Sequence, residues 1–193
     1  MAKEKKIKIS VSGAAETACC SAEAFSKAEA LGKMLAEKDV ITITGATTGA
    51  PYWVAKAAKM AGGIVVGMSP AVSEVAHLKT YHLPIDYHDF IVYTGFDYAG
   101  RNLLLTRSSD AVIIICGRIG TLNEFTIAFE DKKTIGVLTG TGGIAEELEN
   151  IVKKSNRGPG KVVYDSDPGK LLEKILKIVK EEKTRKKEYG NLE

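Results

Sequence analysis

The chain has 193 residues, of which 45% are hydrophobic, and its formal net charge is +3. This is enough apolar material for one substantial core, so we predict a single domain over residues 1–182 and a charged C-terminal tail over 183–193. Because the chain shows no signal peptide, no long apolar span and too few cysteines (three) for a full disulfide framework, we expect a cytoplasmic protein with no membrane contact.

Basic residues are concentrated at the two ends of the chain, over residues 3–8 and 183–187. Acidic residues are mixed with them at both ends, which is typical of solvated segments. We therefore do not expect the protein to bind DNA or RNA.

Short apolar runs alternate with helical stretches along the chain. Runs rich in Val and Ile predict strands over residues 7–11, 40–44, 64–68, 90–93, 111–115, 134–138 and 161–164. Composition and spacing predict helices over residues 22–38, 51–61, 99–107, 121–131, 143–154 and 168–182. Several strands are almost continuously apolar, as expected when helices cover both faces of a parallel sheet. The pattern predicts a doubly wound α/β fold with a mainly parallel sheet.

One long piece, residues 69–89, matches neither pattern. It carries Pro70, Pro84 and all three histidines, at positions 77, 82 and 88. An insertion of this kind usually lies on the surface, so we expect a lid or a partner contact there. The histidines do not have the spacing of a zinc site, and we predict no metal.

Glycine-rich turns follow four of the predicted strands. In a parallel sheet these turns share one edge, where the free N–H groups of helix N-termini bind anions. We predict that the turns hold the phosphate of a ligand through Gly13, Gly45, Thr48, Gly49, Gly117, Arg118, Gly120 and Thr121. None of the turns has the Gly-x-Gly-x-x-Gly pattern or the Gly-Lys-Ser/Thr of a Walker A loop, which disfavours a nicotinamide or ATP-hydrolysing role.

Arg101 precedes the apolar strand 111–115, and Glu124 follows it in what we predict to be the first helical turn. A cation and a carboxylate would then lie beside one anion pocket. Each residue also has a purely structural interpretation: Arg101 could pair with Asp97 on one helix face, and Glu124 could complement the helix dipole.

Two further groups of residues have structural and functional interpretations. Cys19 and Cys20 could be reactive thiols at a helix start, but small buried hydrophobes are the commoner outcome. Tyr52 and Trp53 could stack on a base, although core packing is the commoner fate of aromatic residues.

The order of these motifs resembles the Lonely Guy family and the wider SLOG group of Rossmann-like nucleotide-binding proteins. The segments that carry the resemblance are residues 43–50, 61–67, 94–102, 109–112 and 117–124. The resemblance implies a parallel sheet of about seven strands and a homodimer or higher homo-oligomer.

The hormone-activating branch of that family hydrolyses the N-glycosidic bond of a nucleoside 5′-monophosphate, and the resemblance makes Arg101 and Glu124 the catalytic pair. This chain departs from the branch's pattern: Asn102 replaces a lysine, Cys116 a proline and Arg118 a glycine. The segment around Arg101 looks more like the uncharacterised prokaryotic branch, to which molybdenum-cofactor carrier proteins are also similar. The lysine decarboxylase label sometimes given to the superfamily has no support in these residues.

Two hypotheses follow. The first is a protein that binds a nucleotide or another phosphorylated small molecule, such as a pterin-like cofactor, without turning it over and without requiring a further cofactor. The second is a phosphoribohydrolase that releases base and ribose 5-phosphate. We favour binding, because the departures fall in the catalytic pattern while the glycines are kept. A weaker third possibility is a sensor that signals ligand occupancy through the histidine-bearing insertion.

Overall fold

The computed structural model describes residues 5–190, and side chains through residue 185. Parts of the predicted basic N-terminal segment and of the predicted tail therefore lie outside the described residues. The strands are β1 (Lys8–Gly13), β2 (Ile41–Thr44), β3 (Val65–Ser69), β4 (Phe90–Tyr93), β5 (Ala111–Ile115), β6 (Thr134–Leu138) and β7 (Val162–Asp165). The helices are α1 (Ala24–Glu37), α2 (Ala50–Met60), α3 (Glu74–Lys79), α4 (Asp97–Arg107), α5 (Ile119–Glu130), α6 (Leu148–Ser155) and α7 (Pro168–Gly190).

The strands form one seven-stranded sheet in the order β4-β3-β2-β1-β5-β6-β7. All six pairings are parallel. The chain moves outward from β1 to one edge, returns to pair β5 with β1, and then moves to the other edge. The order of the strands thus reverses between β1 and β5, which is where ligands bind in sheets of this kind. The predicted doubly wound α/β fold is confirmed.

Strand β5 shows why the central strands have continuously apolar sequences. Ile113 and Ile115 pack into a core that α1, α2 and α7 share with one face of the sheet. Val112 and Ile114 point the other way, into a core with Phe125 of α5. Because both faces are covered, no position of this strand can be polar without burying an unpaired group.

Several boundaries differ from the prediction. The predicted helix 143–154 is divided into a short 3₁₀ helix, Gly143–Glu147, and α6. The last helix does not end at residue 182 but continues to Gly190. None of the described helices has an apolar stretch long enough to cross a membrane.

The expectation that residues 69–89 form an irregular surface insertion is wrong in part. The segment contains α3, and His77 on that helix is completely buried. Its Nδ1 lies 2.8 Å from Ser69 Oγ and its Nε2 lies 3.0 Å from the carbonyl oxygen of Pro84, so both ring nitrogens have partners. His88 is also held, with Nε2 2.9 Å from Thr44 Oγ1, and burial lowers its pKa. These two histidines fix the segment to the body of the protein.

The cysteines also depart from the prediction. Cys20 and Cys116 form a disulfide across 96 residues of sequence, and Cys19 is free. The favoured interpretation of Cys20 as a free buried hydrophobe is therefore wrong. A disulfide also weakens the argument from cysteine content for a cytoplasmic location, which stays a prediction.

Candidate functional site

A cleft of about 350 Å³ opens at the carboxyl end of the sheet, where the strand order reverses. It is bounded by the turns after β1 and β2, by α4, and by the start of α5. The residues that line it are Val11, Ser12, Gly13, Ala14, Ala15, Glu16, Gly45, Thr47, Pro51, Leu83, Tyr98, Arg101, Asn102, Arg118, Gly120, Thr121 and Glu124. The structure therefore brings together both residues of the predicted pair and five of the predicted phosphate-binding residues.

Arg101 lies on α4 and points into this cleft with only 5% of its surface exposed. Its guanidinium passes over Gly45, where a Cβ atom would lie 1.7 Å from Nη1, so a larger residue there would displace the guanidinium. Within the described part of the chain its Nε has no hydrogen-bond partner. A buried cation with an unpaired donor costs free energy, so a stabilising role alone does not explain Arg101.

Glu124 approaches Arg101 from the opposite wall. It lies in the second turn of α5, not in the first as predicted, because the helix begins at Ile119. Its Oε1 is 4.0 Å from Arg101 Nη1, and its Oε2 accepts a hydrogen bond from Ser12 Oγ. Burial raises the pKa of Glu124, while Arg101 and the Ser12 hydroxyl oppose that rise. The carboxyl group thus takes up a proton more readily than a solvated glutamate.

The structural interpretations of the pair do not hold. Asp97 accepts a hydrogen bond from Tyr81 instead of pairing with Arg101. Glu124 is 6% exposed and points into the cleft, so it does not serve as a solvated acid at the start of the helix. Asn102, where the related enzymes have lysine, adds a neutral contact. With its amide oriented so that Nδ2 faces acceptors, it donates to Glu124 Oε1 across 3.0 Å.

The first turn of α5 faces the cleft through Gly120 and Thr121. The backbone N–H groups of this turn have no partner within the helix, and the preceding Arg118 side chain makes no capping bond. A Cβ atom at Gly120 would meet nothing within 4 Å, so the space beside this turn at Gly120 is open. The helix dipole adds partial positive charge at the same point.

Arg118 does not fill the cleft. It turns to the rim, where its Nη1 lies 2.7 Å from Glu16 Oε2 on the turn after β1. Both side chains are more than half exposed, so this ion pair contributes little stability and can open for a ligand.

Three predicted phosphate-binding residues lie outside the cleft lining. Thr48 Oγ1 donates to the carbonyl oxygen of Ala15. Gly49 has φ of 74° and packs against the turn after β1. Gly117 has φ of 99° and packs against Thr121. These residues shape the turns that border the cleft.

The two candidate base-stacking residues also lie outside the cleft lining. Trp53 packs against Phe25 beside the main core, and Tyr52 packs against Tyr87. Their aromatic surfaces stabilise α2 against its neighbours, as the structural interpretation expected.

Sequence reasoning did not identify Ser12, Glu16 or Leu83 as cleft residues. Ser12 and Glu16 lie in the same turn as Gly13, so the prediction for Gly13 could have been extended to them. Leu83 comes from the loop after α3, and no local pattern indicates that this loop reaches the cleft.

The model of the SLOG cluster4 family matches residues 6–172 of this chain. The chain belongs to the SLOG cluster4 family. An uncharacterised protein from Archaeoglobus fulgidus is 33% identical over 134 residues, covering 69% of this chain and 81% of the relative.

Two solved structures resemble this SLOG protein over most of their length. The molybdenum cofactor binding protein of Rippkaea orientalis has a TM-score of 0.75 and 27% identity, covering 92% of this chain and 99% of that one. The molybdenum cofactor carrier protein of Chlamydomonas reinhardtii has a TM-score of 0.72 and 26% identity, covering 90% and 98%.

The raised pKa of Glu124 predicts a pH dependence of stability. The folded state keeps this proton to a higher pH than the unfolded chain, where the pKa is about 4.3. The wild-type free energy of unfolding should therefore fall relative to that of Glu124→Gln as pH rises above about 4 and through the folded pKa, by up to about 1.4 kcal/mol per pH unit. Urea unfolding of both proteins between about pH 4 and pH 8 measures the difference.

Glu130→Gln is the matched control, because Glu130 lies on the same helix and its side chain is exposed. The difference in free energy of unfolding between wild type and Glu130→Gln should stay nearly constant over the same pH range. If the wild-type free energy of unfolding instead rose relative to that of Glu124→Gln as pH rises, the folded protein would stabilise the carboxyl group as an anion, contrary to our expectation.

Proposed function

We propose that the protein binds a nucleotide or another phosphorylated small molecule in the cleft between the ends of β1 and β5. The observation that carries this proposal is the convergence of two anion-binding elements on one space. The buried guanidinium of Arg101 lies on one side, and the open first turn of α5 lies on the other. Both favour a compact group with negative charge, which a phosphate provides.

Similar proteins support a phosphorylated cofactor as one class of ligand. The Rippkaea and Chlamydomonas proteins are described as binding or carrying the molybdenum cofactor. Their likeness extends over about nine-tenths of this chain, so the cleft lies within the shared fold. A pterin-like phosphorylated molecule and a nucleotide both combine a planar ring with a phosphate, and the cleft of about 350 Å³ is of the size found for small-molecule sites.

A second candidate function is hydrolysis of the N-glycosidic bond of a nucleoside 5′-monophosphate. Arg101 and Glu124 lie within one cleft, 4.0 Å apart at their nearest charged atoms, which favours this candidate. A carboxylate beside the ribose could stabilise the positive charge that develops as the bond breaks. We rank it second because Ser12 and Arg101 already engage both oxygens of Glu124, and because Arg118 occupies a position that is glycine in the related enzymes.

We also propose that the protein forms a homodimer or a higher homo-oligomer. Strand β4 lies at the edge of the sheet, and large apolar side chains are exposed on it and on the neighbouring segments: Val72, Val75, Phe90, Val92 and Phe96. Exposed apolar clusters beside an unpaired edge mark association surfaces. A second copy of the chain would cover this surface.

The binding proposal predicts that AMP, GMP or inorganic phosphate raises the melting temperature of the protein. Arg101→Gln should weaken binding by about 10- to 100-fold, because it removes a charge-assisted contact of about 1.5–3 kcal/mol. Calorimetric titration of each probe measures the dissociation constants. Arg107→Gln is the matched control, since this exposed arginine on the same helix pairs with Asp131, and it should bind like wild type. Equal losses in both variants would contradict a role for Arg101 in the cleft.

Incubation with a panel of nucleoside monophosphates separates binding from hydrolysis. Our proposal predicts that no free base accumulates above the protein-free blank, while at least one phosphorylated probe stabilises the protein. Chromatography of the mixture gives the amount of base released. Release that falls by 10²-fold or more in Glu124→Gln, but is kept in Glu130→Gln, would establish the hydrolase instead.

The oligomer proposal predicts a light-scattering mass of at least twice the 20.7 kDa of one chain. Val75→Glu places a charge in the exposed apolar surface and should shift the protein to monomers. Met60→Glu is the control, because Met60 is at least as exposed as Val75 but lies at the end of α2. A wild-type mass of one chain would overturn the proposal.

A further inference from the structure

All three cysteines of the sequence meet at one place beside the cleft. Cys19 and Cys20 come from the turn after β1, and Cys116 comes from the end of β5, almost a hundred residues later. Their three sulfur atoms lie within 4.8 Å of one another, and Cys19 Sγ is 3.6 Å from Cys116 Sγ. The phosphate-binding role proposed above uses none of these sulfurs.

The surrounding backbone holds Cys116 in place. Its φ is 55°, a conformation that residues other than glycine rarely adopt. The Cys116 N–H donates to Thr141 Oγ1 across 2.8 Å, and its carbonyl oxygen accepts from the N–H of Ala145 across 3.0 Å. The position of the sulfur is thus fixed by the loop after β6, and strain at a fixed side chain is a common property of functional sites.

The loop after β6 also holds the other two cysteines. Cys20 forms an isolated antiparallel bridge with Gly142, and a Cβ atom at Gly142 would lie 2.6 Å from the carbonyl oxygen of Cys19. Gly143 approaches Cys116 in the same way, since a Cβ atom there would lie 3.0 Å from Sγ. Three separate turns are therefore packed closely around the sulfurs, and two glycines make the approach possible.

The sulfurs differ in exposure. Cys116 is buried, whereas Cys19 and Cys20 are partly exposed, so an ion or a small thiol can reach the group from solvent. In the described residues no histidine or carboxylate belongs to this group. The set of donors is therefore three sulfurs, which are soft ligands that select soft, thiophilic metal ions.

We propose that the reduced form of this group, Cys19 with Cys20 and Cys116, is a binding site for one thiophilic d¹⁰ metal ion of the Cu(I) type. Closed structural zinc sites need four ligands, whereas Cu(I) accepts three thiolates in a trigonal arrangement. The disulfide between Cys20 and Cys116 is the competing, oxidised state of the same residues.

The two states interconvert through thiol chemistry. A small thiol of the glutathione class attacks the disulfide, and a second thiol completes the exchange, so that two protein thiols and one small-molecule disulfide form. Cu(I) then binds, three Cu–S bonds form, and the three thiol protons pass to solvent. The oxidation state of copper does not change.

The experiment is an anaerobic titration of the glutathione-reduced protein with Cu(I), in competition with a chromophoric Cu(I) chelator. We expect one Cu(I) per chain and a near-ultraviolet thiolate-to-copper absorption band. The chain contains only these three cysteines, so such a band reports this site alone. The oxidised protein should bind at least tenfold more weakly, since only Cys19 then keeps a free thiol.

Cys19→Ser is the decisive variant, because Cys19 lies outside the disulfide and its loss leaves that bond in place. We expect at least a tenfold loss of Cu(I) affinity in Cys19→Ser and in Cys20→Ser. His82→Gln removes an exposed metal-binding side chain away from the site and should bind like wild type. Circular dichroism of each variant checks that the fold is kept.

Three outcomes would overturn the proposal. In the first, Cys19→Ser binds Cu(I) as tightly as wild type does. In the second, the reduced protein binds Zn(II) more tightly than Cu(I). In the third, each chain still has only one free thiol in reducing glutathione buffer, so the disulfide is not reduced. The phosphate-binding titrations are a separate measurement, since none of the three cysteines belongs to the cleft lining.

Discussion

The buried pair of Arg101 and Glu124 is the interaction around which the site is built. Removing both charges from water costs several kcal/mol per ion, and mutual attraction at 4.0 Å roughly offsets that cost at best. Such a pair is weak evidence for stability alone. The surroundings nevertheless accommodate it in detail: Gly45 leaves room for the guanidinium, and Ser12 holds the carboxyl group. Among the described residues Arg101 Nε has no partner, so the pair is not fully satisfied by the protein itself.

The strand order places this pair at the carboxyl edge of the sheet, where the order reverses between β1 and β5. The turns after β1 and β5 separate at the reversal of the strand order, and the open N-terminus of α5 lies between them. The same turns carry the three cysteines, which pack against the main core, and Gly117 separates Cys116 from Arg118. A change in the cysteine group would therefore act on the backbone that borders the cleft, since both turns are hydrogen-bonded to the loop after β6.

The sequence predictions failed where contacts that local periodicity does not encode decide the outcome. His77 was expected at the surface because it lies in a segment with prolines and no clear periodicity, yet Ser69 and Pro84 complete its hydrogen bonds in the interior. The disulfide joins positions 96 residues apart, and nothing local indicates which of two adjacent cysteines is used. The sequence also could not decide whether Arg101 pairs with Asp97 or with Glu124. Helical spacing allows the pair with Asp97, and only the fold shows that Arg101 lies beside Glu124.

The sequence by itself determined the alternation of strands and helices, the parallel sheet and the edge at which the glycine-rich turns meet. These follow from local composition, since apolar runs and turn residues act over a few positions. Tertiary structure decided which turn residues face the cleft. The cleft is lined by Gly13, Gly45, Arg118, Gly120 and Thr121, whereas Thr48, Gly49 and Gly117 lie outside its lining. The physical reason is that the direction of a side chain or an N–H group at a turn depends on backbone angles and on packing between segments far apart in sequence, which local patterns do not encode.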